Sequence, residues 1–471
     1  MDPPDVPELP PEMWAHVFRQ LPTKERLRVT SVSQTWNRMV SFTETHIACI
    51  EPFNREFMRF YRILYSGYKF CVIQTWTQLL GVIKKHPKMT HLKLYEIHFQ
   101  NVVATTNEIQ LVAKEIQDRE NKIDKKVPLQ SFRIDRCLGI QVVHFDAINH
   151  FRNLREFVWD GADTLENLMT SAVNDVLRTN QDTLMNLAVT SEAQNDLMLH
   201  IQEPLEGVTY DAVANTNREG FWQSLLDTSG DSLQKLVATV YSNEEMGSAS
   251  LFVNLTDLRL FMASEYPFVF GINVEKLRVL TLLYKIDFAH PFNAVRRLFN
   301  GRHNNNLEIL DIAMPLTDPV QLNEICLSSP NLRLLKLVIN YNMQDDCVIA
   351  IRRLSYLRQL SLDIDILHGS LNEALLTAII TSPNLPDLRA ILVPEMDFPG
   401  GAYARLAEKA DQMPGELFFY SFSLDNDFVG PRHPRVIRIG TNIMPVLYFE
   451  PNNMVQNDYF MWTRITPNYF V

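Results

Sequence analysis

A six-residue pattern of apolar positions, LxxLxL, recurs along most of the chain. It reads LTDLRL at Leu255, LRVLTL at Leu277, LEILDI at Leu307, LRLLKL at Leu332 and LRQLSL at Leu357. Apolar residues at i, i+3 and i+5 suit a short strand that leaves a turn and then alternates its side chains between two faces. The pattern therefore predicts a series of strands, and self-similarity of this kind is typical of repeat architectures.

Looser copies of the pattern extend the series in both directions. They begin at Met89, Leu129, Leu154, Leu184, Leu233 and Leu385, with a degraded copy at Leu205 and a further copy at Leu417. Most steps between copies leave room for one helix and one strand. Between the copies, apolar residues recur at helical spacing, as in QLNEICLSSPNL and NEALLTAIITSPNL. The predicted helices end before Pro330 and Pro383, because proline cannot continue a helix. The longest step carries the charged run 114–126, which predicts an extended helix or a surface insertion.

Helix and strand in alternation predict an α/β fold of parallel strands, stacked because no single unit buries its own apolar face. The series resembles the leucine-rich repeat family from about Met89 to Val393, in the long, helix-bearing form typical of intracellular members. Cys137 and Asn340 meet the polar ninth position of that family. Most other copies depart from it, which suggests an irregular curve. The resemblance implies a solenoid with a curved parallel sheet inside and helices outside.

The N-terminal segment 9–40 has a different pattern, that of three short helices. The first, LPPEMWAHVFRQLP, puts Met13, Val17 and Leu21 on one stripe, with Trp14 and Phe18 beside them. Three helices within about 32 residues are too few to sustain a core without metal or disulfide. Either the helices pack on the neighbouring repeats, or a partner protein completes their core. Composition alone leaves both explanations open.

The same segment resembles an F-box. The segment meets the whole family pattern, which consists of Leu-Pro, an acidic residue, apolar pairs, a second Leu-Pro, an apolar helix and a late Trp. One position departs from the pattern, because Arg26 stands where the family usually has leucine. The resemblance implies docking on the Skp-type adaptor of an SCF ubiquitin ligase, and through it on a cullin. The adaptor-binding residues it implies are Leu9, Pro10, Met13, Val17, Phe18, Leu21, Pro22, Leu27, Val32 and Trp36.

These assignments divide the chain into four parts. We expect an F-box at 1–48, a helical junction and first repeat cap at 49–86, and about 12 leucine-rich repeats at 87–400. A last repeat or cap and an aromatic tail follow at 401–471. The segment 53–83 is rich in aromatic and apolar residues, whereas a flexible linker would be polar. We therefore expect the junction to be rigid.

The residues between the inward leucines are predicted to face the concave side, a surface that solenoids commonly use for binding. The candidate target-binding residues are Arg259, Phe261, Leu283, Asp311, Lys336 and Arg389. Asp311 and Lys336 lie in adjacent copies and are expected to form an exposed cross-strand ion pair. As an alternative to target binding, the aromatic tail from Leu447 could cover this face.

Composition narrows the functional classes. The formal net charge of −11 argues against nucleic acid and anionic membranes as partners. Five widely spaced cysteines without a CxxC pair indicate neither a disulfide framework nor a zinc site. The first residues lack the basic start and apolar run of a signal peptide, and no stretch of about 18 apolar residues predicts a membrane span. We expect a soluble protein of the cytoplasm, the nucleus or both.

The sequence offers no basis for catalysis. It contains no glycine-rich phosphate loop, GxSxG elbow or HExxH helix, and its basic residues are too dispersed to predict a phosphate cofactor. We therefore expect no enzyme activity, no metal and no cofactor. The expected function is substrate recognition in an SCF-type ubiquitin ligase, in the pathway of ubiquitin-dependent catabolism. The alternative is a non-degradative leucine-rich repeat scaffold.

Overall fold

The computed structural model describes part of the chain, in two compact units. The described residues are 13–14, 17–18, 36, 45–50, 69–95, 97, 99, 106–123, 126–135, 137, 139–160, 167–189, 203–210, 218–240, 245, 248–249, 251–262, 274–284, 298–299, 303–316, 318–339, 343–364, 373–393, 400–413, 417–421 and 433–439. Among them, unit 1 comprises those up to 205 and 209–224, and unit 2 comprises 206–208 and 225–439.

Unit 1 contains six strands that all pair in parallel. They are β1 (His46–Ile50), β2 (Lys69–Val72), β3 (His91–Tyr95), β4 (Ser131–Asp135), β5 (Glu156–Asp160) and β6 (Asn186–Val189), in the spatial order β2-β1-β3-β4-β5-β6. Its helices are α1 (Trp76–Lys85), α2 (Thr106–Glu120), α3 (Val142–Ile148) and α4 (Asn167–Asn180). Strand β7 (Gly207–Tyr210) and helix α5 (Arg218–Ser229) contain residues of both units.

Unit 2 contains nine described strands that are parallel and neighbour one another in chain order. They are β8 (Lys235–Val240), β9 (Asp257–Met262), β10 (Val279–Tyr284), β11 (Ile309–Leu316), β12 (Leu334–Ile339), β13 (Gln359–Ile364), β14 (Ala390–Val393), β15 (Leu417–Ser421) and β16 (Val436–Ile439). Its helices are α6 (Pro319–Ser328), α7 (Gln344–Ile351), α8 (Glu373–Ile380) and α9 (Gly400–Gln412). Within each unit this arrangement fits a solenoid-like α/β fold, and the assignment to leucine-rich repeats stays a prediction.

The helices begin and end where their sequences favour it. Thr75 caps α1 by accepting a hydrogen bond from the Gln78 amide, in a capping box, and α1 ends before Pro87. Asp318 caps α6 by accepting a hydrogen bond from the Val320 amide, and Pro319 occupies the first helical position. α6 and α8 end before Pro330 and Pro383, as the sequence predicts. α2 includes the first part of the charged run, so the prediction of an extended helix is confirmed there.

The apolar pattern produces continuous buried rows across the strands. In unit 2, the fourth residue of each copy aligns with that of the next in the row Leu258, Leu280, Leu310, Leu335 and Leu360, and all five are buried. In unit 1, the corresponding row is Leu92, Phe132, Phe157 and Leu187. Burying one such side chain contributes about 1.5–3 kcal/mol. These rows are the cores on which the helices pack.

A backbone motif fixes the register between neighbouring repeats. We call the residue directly before a strand the pre-strand residue. In much of the described sheet, its carbonyl accepts hydrogen bonds from two amides, that of the next pre-strand residue and that of the first residue of the next strand. The Arg333 carbonyl accepts from the amides of Arg358 (2.8 Å) and Gln359 (2.9 Å). The Arg358 carbonyl accepts from those of Arg389 (2.7 Å) and Ala390 (3.0 Å). One residue per repeat is thus held at an equivalent position.

This register corrects the predicted copy at Leu385. Ala390 pairs with Gln359, the third residue of the copy at Leu357. The copy therefore begins at Leu388, and Arg389 is a pre-strand residue instead of a side chain on the predicted concave face. The prediction was misled because Leu385 and Leu388 are both buried, at LxxL spacing, in a turn closed by a hydrogen bond from the Leu388 amide to the Leu385 carbonyl.

The predicted helical junction at 49–86 contains strands as well as helix α1. β1 crosses the predicted boundary at residue 48, and β2 pairs with it. Neither strand carries the LxxLxL pattern. β1 lies between β2 and β3, and Ile47, Ala48, Cys49 and Ile50 are all buried, so its sequence shows no alternation of apolar and polar residues. Residues 51–68 of the junction lie outside the described part.

Candidate functional site

Three aromatic rings of the N-terminal module form a closed cluster. The ring centroids of Trp14 and Phe18 are 5.6 Å apart, those of Trp14 and Trp36 are 5.1 Å apart, and those of Phe18 and Trp36 are 5.3 Å apart. Phe18 is 1% exposed. Each aromatic pair of this kind contributes about 0.5–1.5 kcal/mol beyond area burial. The cluster therefore supplies a core to the described residues of the module.

Met13 and Val17 point away from this cluster. Both are helical and lie four residues apart, so they share a face of the helix. Met13 is 53% exposed and Val17 is 40% exposed. Two large apolar side chains left exposed side by side are typical of a surface that a partner covers.

The predicted adaptor-binding residues thus fall into three groups. Met13 and Val17 are exposed, whereas Phe18 and Trp36 belong to the aromatic cluster together with Trp14, a residue that the sequence did not assign. The others lie outside the described part: Leu9, Pro10, Leu21, Pro22, Leu27 and Val32.

The sheet face of unit 2 that was predicted to be concave carries charged side chains that are buried. Arg259 and Asp257 lie two residues apart on β9 and form a bidentate pair, with both N–O distances 2.9 Å. In the same cross-strand row as Arg259, Lys336 lies 3.6 Å from Asp311 on the neighbouring strand. Burial of a charge is costly unless it is paired and hydrogen-bonded. The face therefore compensates its charges internally.

The predicted ion pair between Asp311 and Lys336 is confirmed, but it is not exposed. The Asp311 side chain is 2% exposed and that of Lys336 is 25% exposed. Arg259 and Leu283 are buried as well. Binding of a target by these residues stays a prediction, and the buried ones do not present a surface to a partner in this structure. The prediction that the tail from Leu447 covers the face concerns residues outside the described part.

The equivalent face of unit 1 also carries compensated charges. The Arg133 guanidinium donates to both carboxylate oxygens of Glu156, with the Nε–Oε2 distance 2.9 Å, and the Ser131 hydroxyl donates to the same carboxylate. Lys93 is buried, with its Nζ 5.1 Å from the ring centroid of Tyr95, a cation–π contact. Both units therefore use polar networks on the sheet face opposite the apolar rows.

Two histidines stack across β1 and β3 on this face. The ring centroids of His46 and His91 are 4.0 Å apart, with an interplanar angle of 11°. Thr45 and Thr90 each place a hydroxyl 2.8 Å from Nδ1 of the histidine that follows. Burial, together with the neighbouring His46, lowers the pKa of His91 to about 4. The His91 ring is therefore neutral at neutral pH, and it is hydrogen-bonded to the Thr90 hydroxyl through Nδ1.

The sequence analysis missed a set of arginines at the pre-strand position. Arg278, Arg333, Arg358 and Arg389 occupy this position in unit 2, and Glu308 lies between the first two. Arg278 and Glu308 form an ion pair at 3.7 Å. The signal was present as the second residue of LRVLTL, LRLLKL and LRQLSL. It was passed over because only the inward leucines and the side chains between them were considered.

The described part of the chain shows neither a metal-binding cluster nor a membrane-spanning helix. No group of three or more His, Cys, Asp or Glu side chains there could hold a metal ion. None of its helices has both the length and the apolar character needed to cross a membrane. All five cysteines are free thiols.

Comparison with known proteins gives one positive result. No curated protein matches the chain, but the family model of the F-box domain matches residues 6–45. The match includes the aromatic cluster and the exposed pair Met13 and Val17. F-box domains generally bind Skp-type adaptors, and F-box proteins are typically non-catalytic substrate receptors. No catalytic family is indicated. The chain therefore carries an F-box domain, which supports an F-box protein with the general role of an SCF-type substrate adaptor.

Proposed function

We propose that this chain is the substrate-recognition subunit of an SCF-type E3 ubiquitin ligase. The F-box docks on a Skp-type adaptor, which connects it to the cullin, and the leucine-rich repeats hold the target protein. Ubiquitin transfer belongs to other subunits, and this chain supplies no catalytic group or cofactor. In this proposal the chain acts in the cytoplasm, the nucleus or both, and directs its target to ubiquitin-dependent catabolism.

The proposal is supported mainly by the first helix, which packs one face within the module and leaves the other face exposed. Trp14 and Phe18 are engaged within the module, so they complete its own core. Met13 and Val17 remain exposed on the neighbouring face, within the residues that the F-box model matches. Burying such a side chain on association removes apolar surface that is worth about 1.5–3 kcal/mol. An adaptor that covers both residues explains why they are apolar.

The test is binding of a purified Skp-type adaptor to the full chain and to the double variant Met13→Asp/Val17→Asp, measured by calorimetry. We expect the variant to bind about 100-fold more weakly, since two apolar contacts are lost and two carboxylates are introduced. The matched control is Val142→Asp/Val143→Asp, which changes two exposed apolar residues of α3 outside the F-box. Its affinity should equal that of the wild type. Trp36→Ala is a poorer test, because it also opens the aromatic cluster.

Two outcomes decide against the proposal. If the wild-type chain and the adaptor do not associate at micromolar concentration, or if Met13→Asp/Val17→Asp binds as tightly as the wild type, the docking surface is not the one proposed. If the adaptor binds but a reconstituted ligase does not ubiquitinate a protein held by the repeats, the non-degradative scaffold is favoured.

A further inference from the structure

The sheet of unit 1 places two cysteines side by side on neighbouring strands. Cys49 lies on β1 and is the direct register partner of Cys71 on β2, in a parallel pairing. Register partners on parallel strands point to the same face of a sheet. That face is the apolar one, because Cys49 also aligns with Leu94 on β3, which is buried. The fold therefore brings together two thiols that the sequence keeps apart. We call Cys49 and Cys71 the thiol pair.

The spacing of the thiol pair permits a disulfide bond but does not favour a relaxed one. Neighbouring strands lie about 4.8 Å apart, which is within the range of about 4.4–6.8 Å for the Cα atoms of bonded cysteines. Side chains that stand parallel keep their Cβ atoms at nearly the same separation, which exceeds the usual range of about 3.5–4.5 Å. A disulfide formed here is therefore readily reduced, as is typical of regulatory disulfides.

The two thiols differ in their access to solvent. Cys49 is 0% exposed. Burial, together with the nearby Cys71 and Cys137, raises the pKa of the Cys49 thiol well above its ordinary value. Cys49 is therefore protonated at neutral pH and inert toward a dissolved oxidant. Cys71 is half-buried, on the last strand at one end of the described sheet, so a small oxidant can reach its sulfur.

Unit 2 also contains two neighbouring cysteines, and both of them are inaccessible. Cys326 lies on α6 and Cys347 on α7, which packs against it. They are 1% and 0% exposed. Burial, together with the nearby Cys347, raises the pKa of Cys326 to about 12. These two residues offer the same chemistry without a route for the oxidant, so they are an internal control for the thiol pair.

We propose that Cys49 and Cys71 form a reversible dithiol–disulfide pair that is oxidised by hydrogen peroxide. The Cys71 thiol loses its proton, and its sulfur attacks one peroxide oxygen and breaks the O–O bond. This gives a sulfenic acid on Cys71 and a hydroxide that takes up the proton to become water. The Cys49 sulfur then attacks the Cys71 sulfur, and the hydroxyl group leaves with the Cys49 proton as a second water. The two thiols lose two electrons in total, which reduce the peroxide.

The disulfide adds a covalent link at the end of the sheet. Among the described strands, β2 neighbours β1 alone, so the new bond connects β2 to the strand on which its position depends. β1 begins directly after the residues that the F-box model matches. The link therefore lies where the F-box gives way to the sheet. It can form in the isolated chain, so the inference does not rest on the proposed function.

The test treats the reduced full chain with hydrogen peroxide under native conditions, alkylates the remaining thiols in denaturant and maps the peptides by mass spectrometry. We expect a peptide pair linked through Cys49 and Cys71, and a fall in the number of alkylated cysteines from five to three. Dithiothreitol should restore all of them. Hydrogen exchange of the β2 amides should be several-fold slower in the oxidised chain and should recover on reduction.

Three serine variants assign the roles of the individual sulfurs. Cys71→Ser should leave Cys49 reduced, because the accessible sulfur is lost. Cys49→Ser should stop the reaction at the sulfenic acid of Cys71, which dimedone traps. The matched control is Cys137→Ser, which removes the third cysteine of this region and should form the bond as the wild type does. A thermal melt checks that each variant folds, and Cys71→Ser tests the inference even if the buried Cys49→Ser does not.

Several results would overturn the inference. They are the absence of a linked peptide after oxidation, a bond from Cys137 to either member of the thiol pair, and a bond between two chains. Oxidation of Cys326 and Cys347 at the same rate as the thiol pair would also contradict it, because the oxidant would then be acting on an unfolded chain.

Discussion

At the scale of single residues, Trp14 shows where apolar side chains of the first helix are packed. The sequence placed this ring beside the stripe of Met13, Val17 and Leu21 and did not assign its contacts. The structure packs it on Phe18 and Trp36 instead. The periodicity could predict which residues share a helix face, but not which face turns inward, because that depends on the position of Trp36 on another part of the module. Met13 and Val17 are exposed as a consequence.

A second residue-scale feature is the histidine stack, which predicts a loss of stability in mild acid. The folded-state pKa of His91 is about 4, below its ordinary value of about 6.5. Between these values the unfolded state binds a proton that the folded state does not, so the free energy of unfolding falls as pH falls. Burial lowers the pKa of His144 to about 4 as well. The loss should therefore begin near pH 6.5 and continue to about pH 4.

Urea unfolding at a series of pH values measures this effect. His91→Gln should show a smaller decrease in midpoint between about pH 6.5 and pH 4 than the wild type, because one of the two buried rings no longer titrates. The control is His303→Gln, which removes an exposed histidine and should leave the decrease as it is. An identical decrease in His91→Gln and the wild type would show that the stack does not exclude the proton.

At the scale of elements, cations from one helix complete the end of another. Arg119, near the end of α2, is buried, and its guanidinium donates to the carbonyl of His86 at 2.7 Å and to that of Ile83. Both carbonyls lie at the end of α1. Burial lowers the pKa of Arg119 to about 10, so the side chain is still protonated at neutral pH. Lys409 plays the equivalent part between α9 and α8.

The contacts of Arg119 predict a large loss of stability when this residue is replaced, although it lies within a charged run. Arg119→Met should lower the free energy of unfolding by about 2–4 kcal/mol, because buried carbonyl groups lose their donor. Arg119→Lys, which keeps the charge with fewer donors, should fall between the methionine variant and the wild type. Arg178→Met, at the exposed end of α4, should change stability by no more than about 0.5 kcal/mol. Hydrogen exchange should show faster opening at the end of α1 in Arg119→Met alone.

The elements also show how far the sequence could predict the fold. Where all three pattern positions are leucine or isoleucine, as in the copies at Leu277, Leu307 and Leu357, the strand lies where it was expected. β1 was missed because a strand buried on both faces shows no alternation. Arg119 could not be identified, since a charge in a charged run is normally solvated. The burial of Arg259 and Asp311 was also missed, because spacing alone does not reveal what covers a sheet face.

At the scale of the whole molecule, net charge and local charge point to different conclusions. The formal charge of −11 is a sum over the whole chain and does not show where charges of one sign lie together. The alignment of Arg333, Arg358 and Arg389 does not show in that total, because it arises only where consecutive strands place the residues before β12, β13 and β14 side by side. Repeat folds bring equivalent positions of every repeat onto one line. The same residue type at the pre-strand position of successive repeats therefore lines up along the edge of the sheet.

A receptor must hold its adaptor and its target at the same time, which predicts that its two binding surfaces are energetically independent. Adaptor affinity, measured by calorimetry with and without a saturating concentration of a protein that binds the repeats, should agree within about twofold, a coupling free energy below about 0.4 kcal/mol. Reciprocally, saturating adaptor should leave the affinity for that protein unchanged. A tenfold or greater coupling would contradict simple receptor function, because a bound target would then strengthen or release the adaptor.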